Sequence, residues 1–258
     1  MKQYLKKPIK TIGRLPRLIA FCSLGGACIL AACESGRDRN LSSGPAPSSR
    51  IGTDPREITM LLPLEPAPGH KLVVLTEQIP SLQVDLRYSR SNNVARTRLY
   101  DRAMPAMLDE PTTRLLAKAQ KTLLAQGYSL KVWDAYRPPG AHLRLWQRTG
   151  MSGYVADPRW GWSKHCSGRA VDVTLTSAET GKELAMPSKF DDFSKDAASN
   201  YIGPDFEVLR HSTALRRAML GAGFVGIDME WWHFENAELA QLNLPPIYAD
   251  EAGVTVPN

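Results

Sequence analysis

The stretch SKHCSGRAVD, residues 163–172, is the most informative part of this chain, and the stretch EWWH follows it at residues 230–233. Together they hold two histidines, an aspartate, and a glutamate three residues before the second histidine. A catalytic zinc site requires three protein ligands, an open position for water and a general base. The two stretches contain this set of side chains. They therefore predict metal-assisted hydrolysis, with an amide as the bond that is cleaved.

The first stretch places His165 and Asp172 seven residues apart, with Gly168 between them. Seven residues would bring the two side chains onto one face of a helix, but the dipeptide Ser167-Gly168 disfavours a helix here. We therefore predict a loop that carries His165 and runs into a strand that carries Asp172. Because a histidine followed by an aspartate at this spacing is common, the pair alone is weak support for a metal site.

The second stretch places Glu230 three residues before His233, with Trp231 and Trp232 between them. The tryptophans favour extended structure, in which residues three apart point to opposite faces. If both residues serve one metal, the backbone must bend between them, or Glu230 must end a turn while His233 lies in the strand. The alternative is an exposed glutamate and a half-buried histidine beside two core tryptophans.

The remaining pattern predicts a mixture of helices and strands without regular alternation. Alternating or continuous apolar runs predict strands at 72–75, 82–88, 130–133 and 171–175, with extended structure over 224–234. Apolar stripes and end signals predict helices at 109–127, 140–148 and 206–220. We expect an α+β fold in which one compact domain, residues 56–258, has a small, mainly antiparallel sheet with flanking helices that carry a zinc site.

The N-terminus has the features of a lipoprotein signal. Six basic residues and no acid precede an apolar core at 18–32, which is too short to span a membrane comfortably. The core ends in Leu30-Ala31-Ala32-Cys33, which resembles a lipobox. We expect residues 1–32 to be a cleaved signal, Cys33 to be acylated, and residues 33–55, rich in Ser, Gly and Pro, to be a flexible tether. An ordinary signal peptide with an incidental cysteine, or a short anchor helix, is the alternative.

This reading predicts a location and excludes one class of partner. The protein would be lipid-anchored in the cell envelope and face the periplasm or the exterior, and Glu34 after Cys33 favours the outer membrane where two membranes exist. Removal of the six basic residues in 1–32 leaves 26 Lys and Arg against 26 Asp and Glu. A net charge near zero supplies no basic footprint, so we expect no nucleic-acid partner. The sequence contains no signal for an oligomeric state.

Cys166 is the one cysteine that remains after Cys33, so we expect no disulfide inside the domain. A thiolate beside His165 would close the open position that catalysis needs. We predict instead that Cys166 is an inert packing residue. Of the other histidines, His142 follows Arg137 by five residues and is a candidate for lining the site.

Four motifs together carry a resemblance to a known family. They are Ser-x-His-x-x-Gly-x-Ala-x-Asp at 163–172, Glu-Trp-Trp-His at 230–233, Asp-Ala-Tyr-Arg-Pro at 134–138 and Asp-Leu-Arg-Tyr at 85–88. The combination, which covers most of residues 75–240, resembles the D-alanyl-D-alanine dipeptidases of the vancomycin-resistance type. These belong to a clan of zinc peptidases that includes D,D-carboxypeptidases and the hedgehog signalling domain.

The resemblance implies a role for each matching residue. One zinc ion per chain would be held by His165, Asp172 and His233, with Glu230 as general base, Arg137 steadying charge on the scissile carbonyl, and Ser163 and Asp191 holding the two termini of a small dipeptide. Two departures from the family pattern stand out. Cys166 occupies a position where the family has serine, and Pro187-Ser188-Lys189 replaces a glycine-containing approach to Asp191.

Three functions are compatible with these residues. The first is hydrolysis of D-Ala-D-Ala to free D-alanine in the cell envelope, for which Asp191 would pair with the free amino group. The second is a peptidoglycan D,D- or L,D-carboxypeptidase of the same clan, with a groove open to the stem peptide. The third is a non-catalytic, zinc-stabilised binding domain. Glu230 argues against the third function, because a structural site has no use for a base.

Overall fold

A computed structural model describes residues 54–58, 60, 62–64, 71–150 and 154–257 of the chain. The predicted signal segment, Cys33 and most of the predicted tether lie outside the described residues. Within the described part, no helix has the length and apolar character needed to cross a membrane. The described residues belong to one compact unit.

The described chain alternates irregularly between short strands and helices. In chain order the elements are β1 (Leu72–Val74), α1 (Leu75–Gln78), β2 (Gln83–Val84), β3 (Met107–Asp109), α2 (Glu110–Leu124), β4 (Tyr128–Asp134), α3 (Pro139–Thr149), β5 (Ala170–Ser177), α4 (Phe206–Ala222), β6 (Phe224–Ile227) and β7 (Glu230–Asn236). Single turns of 3-10 helix lie at Pro55–Glu57, Arg87–Ser89, Lys164–Ser167 and Lys195–Ala197. The predicted α+β class is confirmed.

Five strands form the main sheet, in the order β2-β4-β5-β7-β6. Only the edge pair β2 and β4 is parallel, and the other neighbours are antiparallel, as predicted. β1 and β3 form a separate antiparallel pair. The central strands β4, β5 and β7 are almost entirely buried, so side chains on both faces of the sheet lie within the protein.

Helix α2 shows why the helices form where the sequence predicts them. Asp109 caps it by accepting a hydrogen bond from the Thr112 amide at 2.9 Å. Its apolar stripe is fully buried at Leu116, Ala119 and Leu123, and the helix packs against α4 and β4. Capping and burial of one face therefore act together on a segment of high helix propensity.

Two parts of the predicted strand pattern differ from the structure. The strand predicted at 82–88 is limited to Gln83–Val84, because the chain then turns through Arg87–Ser89. The carbonyl of Tyr88 accepts hydrogen bonds from the amides of Leu99 and Tyr100, which draws this segment away from β4. β3 was not predicted, since three buried residues directly before a helix have no alternation to reveal them.

Candidate active site

The metal-site candidates begin with a direct cross-strand pair. Asp172 on β5 stands opposite His233 on β7 in the antiparallel ladder. Side chains of directly opposed residues project side by side from one face of a sheet. The Nδ1 atom of His233 accordingly lies 2.9 Å from Oδ1 of Asp172, although 61 residues separate the two in sequence.

His165 reaches the same point from the turn that precedes β5. The turn Lys164–Ser167 is capped by Ser163, whose Oγ accepts a hydrogen bond from the His165 amide at 3.3 Å. It ends at Gly168, whose φ of 68° is left-handed and whose added Cβ would lie 2.4 Å from Cδ2 of Leu72. Only glycine fits this position, so Gly168 sets the path from turn to strand. The predicted loop is therefore one 3-10 turn.

Three donor atoms converge in this arrangement, namely Nε2 of His165, Oδ1 of Asp172 and Nδ1 of His233. The His165 nitrogen lies 3.2 Å from the His233 nitrogen and 3.3 Å from the Asp172 oxygen. A tetrahedral zinc ion with bonds of about 2.0–2.1 Å holds its ligand atoms about 3.3 Å apart. The three buried side chains therefore fit a zinc ion in both donor type and spacing.

The ring nitrogens that face away from this cluster have partners of their own. Nδ1 of His165 donates to the carbonyl of Ala135 at 2.7 Å, and Nε2 of His233 donates to Oε1 of Glu235 at 3.2 Å. Such outer hydrogen bonds select the tautomer and direct the free lone pair of each ring towards the cluster. Sequence reasoning missed Glu235, although its place two residues after His233 on one strand was the available signal.

Glu230 is the first residue of β7 and lines the same cavity of about 560 Å³ as His233. The pairing of β7 with β6 is irregular, because Phe234 pairs with Gly226 whereas Glu230 pairs with Ile227. This bulge is the bend required for Glu230 and His233 to face one site, since a regular strand would direct them to opposite faces.

The carboxyl of Glu230 has an unusual acidity. Burial is the largest cause and raises its pKa to about 7, with the neighbouring charges of Asp172 and Asp191 raising it and His233 opposing them. A group that exchanges its proton near neutral pH is suited to general acid–base work. The position and the acidity of Glu230 are therefore both suited to proton transfer.

Arg137 also lines the cavity and is buried apart from 6% of its surface. Its Nε and Nη2 donate to Oδ2 of Asp134 at 3.0 and 2.6 Å, and the Tyr100 hydroxyl donates to Oδ1 of the same carboxylate at 2.6 Å. The Arg137 amide donates to the carbonyl of His165 at 3.1 Å. These contacts fix the guanidinium relative to the metal-site turn. Asp134 belongs to a quoted motif, but its part in holding Arg137 was not predicted.

Asp191 also enters the cavity, where Tyr88 donates a hydrogen bond to its Oδ1 at 3.1 Å. Its Oδ2 is buried and has no hydrogen-bond partner among the described residues. Burial and the charge of Asp172 raise the pKa of Asp191 to about 7. The residue has a left-handed φ of 58°, which costs a non-glycine residue energy. An unpaired carboxylate oxygen held in this way is a binding group for a cation.

The segment that carries Asp191 is held by aromatic packing. The ring of Phe190 lies between Trp133, Tyr88 and Trp232, with centroid separations of 5.2 to 5.7 Å. This packing positions Asp191 despite the departure from the family pattern at 187–189. Ser163, the other predicted contact for a dipeptide terminus, lines the cavity while capping the His165 turn.

The thiol of Cys166 is fully buried and lies outside the donor cluster. Burial raises its pKa, which disfavours the thiolate that a metal ligand must become. This geometry agrees with the predicted packing role. His142 lines the cavity. The buried ring of His211 on α4 donates from Nδ1 to the carbonyl oxygen of Ala185 at 3.0 Å and is absent from the cavity lining.

Comparison with known proteins identifies the family of the chain. A family model described as D-ala-D-ala dipeptidase matches residues 69–251. The chain is 34% identical over 181 residues to a D-alanyl-D-alanine dipeptidase of Escherichia coli, covering 70% of this chain and 91% of that relative. It is 31% identical over 140 residues to one from Enterococcus faecium, covering 46% and 67% of the two chains, and 30% identical over 142 residues to one from Enterococcus faecalis, covering 46% and 68%. The resemblance drawn from the motifs is confirmed.

Proposed function

The chain belongs to the D-ala-D-ala dipeptidase family of metallopeptidases, and on this premise we propose that it hydrolyses D-Ala-D-Ala to free D-alanine with one zinc ion per chain. The observation that carries the proposal is the convergence of His165, Asp172 and His233 in one cavity with Glu230. Nε2 of His165, Oδ1 of Asp172 and Nδ1 of His233 would hold the zinc. When bound, zinc supplies a Lewis acid that lowers the pKa of a coordinated water to about 7.

Glu230 is the proton carrier in this proposal. Its carboxylate takes a proton from the attacking water and delivers it to the nitrogen of the leaving D-alanine. In the metal-free protein, burial raises the pKa of Glu230 to about 7, so this carboxyl holds a proton more readily than an exposed glutamate and can return it to the leaving group. Positioned proton transfer of this kind contributes roughly 10²–10⁴-fold to a rate.

Arg137 stabilises the charge that develops on the scissile carbonyl oxygen. Its guanidinium is held by Asp134 before substrate arrives, so no reorganisation is needed as the oxygen becomes negative. Arginine keeps its positive charge at every relevant pH, which makes it dependable in this role.

Asp191 and Tyr88 form the site for the free amino group of the substrate. An ammonium placed against Oδ2 of Asp191 supplies the partner that this buried oxygen lacks among the described residues. The ammonium also compensates the cost of ionising a buried carboxyl. A substrate bound in this way must have a free amino group on the residue that precedes the cleaved bond. This requirement favours a dipeptide over the C-terminal end of a stem peptide. Ser163 would bind the opposite carboxylate terminus.

The cell-envelope location and the lipid anchor at Cys33 are part of the proposal and rest on the N-terminal sequence. Basic residues, a short apolar core and Leu30-Ala31-Ala32-Cys33 follow one another in the order of a lipoprotein signal. A tethered dipeptidase would meet D-Ala-D-Ala close to the peptidoglycan from which such termini come.

A hydrolysis panel tests the proposal. The substrates are D-Ala-D-Ala, L-Ala-L-Ala and a pentapeptide that ends in D-Ala-D-Ala, each assayed with and without a chelator. We expect release of D-alanine from the D,D-dipeptide alone, its loss with chelator and its return with added zinc. Preferred cleavage of the pentapeptide would show a carboxypeptidase instead. Zinc binding without hydrolysis of any substrate would support the binding domain.

A further inference from the structure

His142 is a fully buried histidine whose two ring nitrogens both have partners. It lies on α3, and its Nδ1 is 3.3 Å from Nη1 of Arg137. Its Nε2 is 2.9 Å from the carbonyl oxygen of Ala156, on the segment 154–162 that lines the cavity. The imidazole therefore bridges the arginine and the cavity wall.

The chemistry of these partners allows one state of the ring. A guanidinium only donates hydrogen bonds and a backbone carbonyl only accepts them. Nδ1 must therefore present its lone pair to Arg137, while the proton resides on Nε2 and is donated to Ala156. The ring is neutral in this state. Burial and the charge of Arg137 lower the pKa of His142 to about 3, with His165 lowering it further and Asp157 opposing, in agreement with this geometry.

A neutral acceptor suits the arginine better than a second carboxylate would. Asp134 already receives the Nε and Nη2 edge of the guanidinium, which leaves Nη1 as the side that needs a partner. Another carboxylate there would give the guanidinium and its two carboxylates a net negative charge, which would oppose stabilisation of an oxyanion. The lone pair of His142 instead fixes the plane of the guanidinium and adds no charge.

We infer that His142 is a positioning residue for the hydrolysis, holding Nη1 of Arg137 in its working orientation and tying it through Ala156 to the cavity wall. The inference rests on the proposed function, because Arg137 is given its role there. It goes beyond the family motifs, since His142 belongs to none of them and acts only through other residues.

A matched pair of substitutions separates the two contacts. In His142→Asn the amide oxygen takes the place of Nδ1, so the contact to Arg137 survives and the one to Ala156 is lost. In His142→Gln the longer amide reaches the place of Nε2, so its NH₂ still donates to Ala156 and the contact to Arg137 is lost. Both side chains are neutral, polar and smaller than or similar to imidazole.

The two variants are expected to differ in kcat and KM when zinc-loaded full-length protein is assayed with D-Ala-D-Ala. His142→Gln should lower kcat about tenfold with KM little changed, the effect of one lost hydrogen bond to a charged group. His142→Asn should keep kcat within about threefold and raise KM, because the cavity-lining segment 154–162 loses its hydrogen bond to residue 142. A kcat for Asn as low as that for Gln, or a kcat for Gln near that of the wild type, would overturn the inference.

Two further measurements keep the test decisive. In an Arg137→Ala background, His142→Gln should cause no additional loss of kcat, whereas an undiminished loss would show that His142 does not act through Arg137. Nitrogen NMR of wild-type His142 at pH 7 should find a neutral ring protonated at Nε2, and a charged ring or the opposite tautomer would refute the bridge even if the variants do not fold. A wild type without activity would overturn the proposed function. An active wild type whose kcat is the same in both His142 variants would overturn only the role of His142.

Discussion

Replacement of Glu230 by glutamine is the change that best separates an enzyme from a binding domain. Glutamine has the same length and shape and keeps a hydrogen-bonding oxygen, but it cannot take the proton of the attacking water. We expect Glu230→Gln to retain zinc and dipeptide binding and to lose at least about 10²-fold in kcat, the lower end of the contribution of a general base.

The structure also gives the effect of this substitution on stability. Burial raises the pKa of Glu230 from 4.5 to about 7, so the folded protein binds this proton more tightly than the unfolded chain does. The ionised group therefore destabilises the metal-free protein progressively as pH rises from 4.5 through 7, by about 3 kcal/mol at the upper end, because each pKa unit corresponds to about 1.4 kcal/mol. Below pH 4.5 the group contributes no such difference.

Glu230→Gln removes this ionisation. The metal-free variant is therefore expected to be more stable than the metal-free wild type at pH 8, by up to about 3 kcal/mol, and equal to it at pH 4. A substitution that stabilises the protein and abolishes turnover marks a residue retained for chemistry rather than for folding.

The assay combines three readouts on the same preparations. These are kcat and KM on D-Ala-D-Ala, zinc content by metal analysis, and denaturant unfolding of the chelated protein at the two pH values. A variant with near-normal kcat would remove Glu230 from the mechanism. Loss of zinc together with activity would show that Glu230 is a zinc ligand, and the assignment of Asp172 as the third ligand would then be wrong. Equal stability at pH 8 would contradict the buried-carboxyl argument.

Three further predictions concern the metal, the substrate and the anchor. His233→Ala should lose most of its zinc and its activity together, and full zinc occupancy by metal analysis would show that the ligand set is wrong. Asp191→Asn should keep the zinc but raise KM for D-Ala-D-Ala about tenfold or more, because the amide cannot pair with the substrate ammonium; an unchanged KM would move the amino-group site elsewhere. Cys33→Ser should abolish partition of the protein into the detergent phase, and unchanged partition would count against lipidation.

Local sequence was sufficient to predict most of the elements, because their signals lie within one turn or one strand. The helix at 109–127 was recognisable from its capping aspartate and apolar stripe, and the structure places it at Glu110–Leu124. The strand predicted at 82–88 was too long, because a contact with residues distant in sequence overrides the local pattern. The carbonyl of Tyr88 is bonded to the amides of residues 99 and 100, and no alternation within the segment reports that bond.

The site divides in the same way. The identities and spacing of His165, Asp172, Glu230 and His233 follow from the sequence, since the chemistry of hydrolysis demands these side chains and the motifs contain them. The convergence of these side chains does not follow from the sequence. It depends on the register that sets Asp172 opposite His233 and on the bulge that turns Glu230 to the same side. Register is a property of two strands packed on a common core, and one segment alone does not encode it.

The partners of the supporting residues could not be assigned from the sequence, for a related reason. Folding brings Glu235 into contact with His233, and it buries Asp134 and His142 against Arg137. A buried polar group must find a partner, so the tertiary structure decides which atoms become partners and in which protonation state. The sequence by itself determined what chemistry this protein has the groups to perform. The tertiary structure decided how those groups are held, because orientation comes from contacts between residues far apart in the chain.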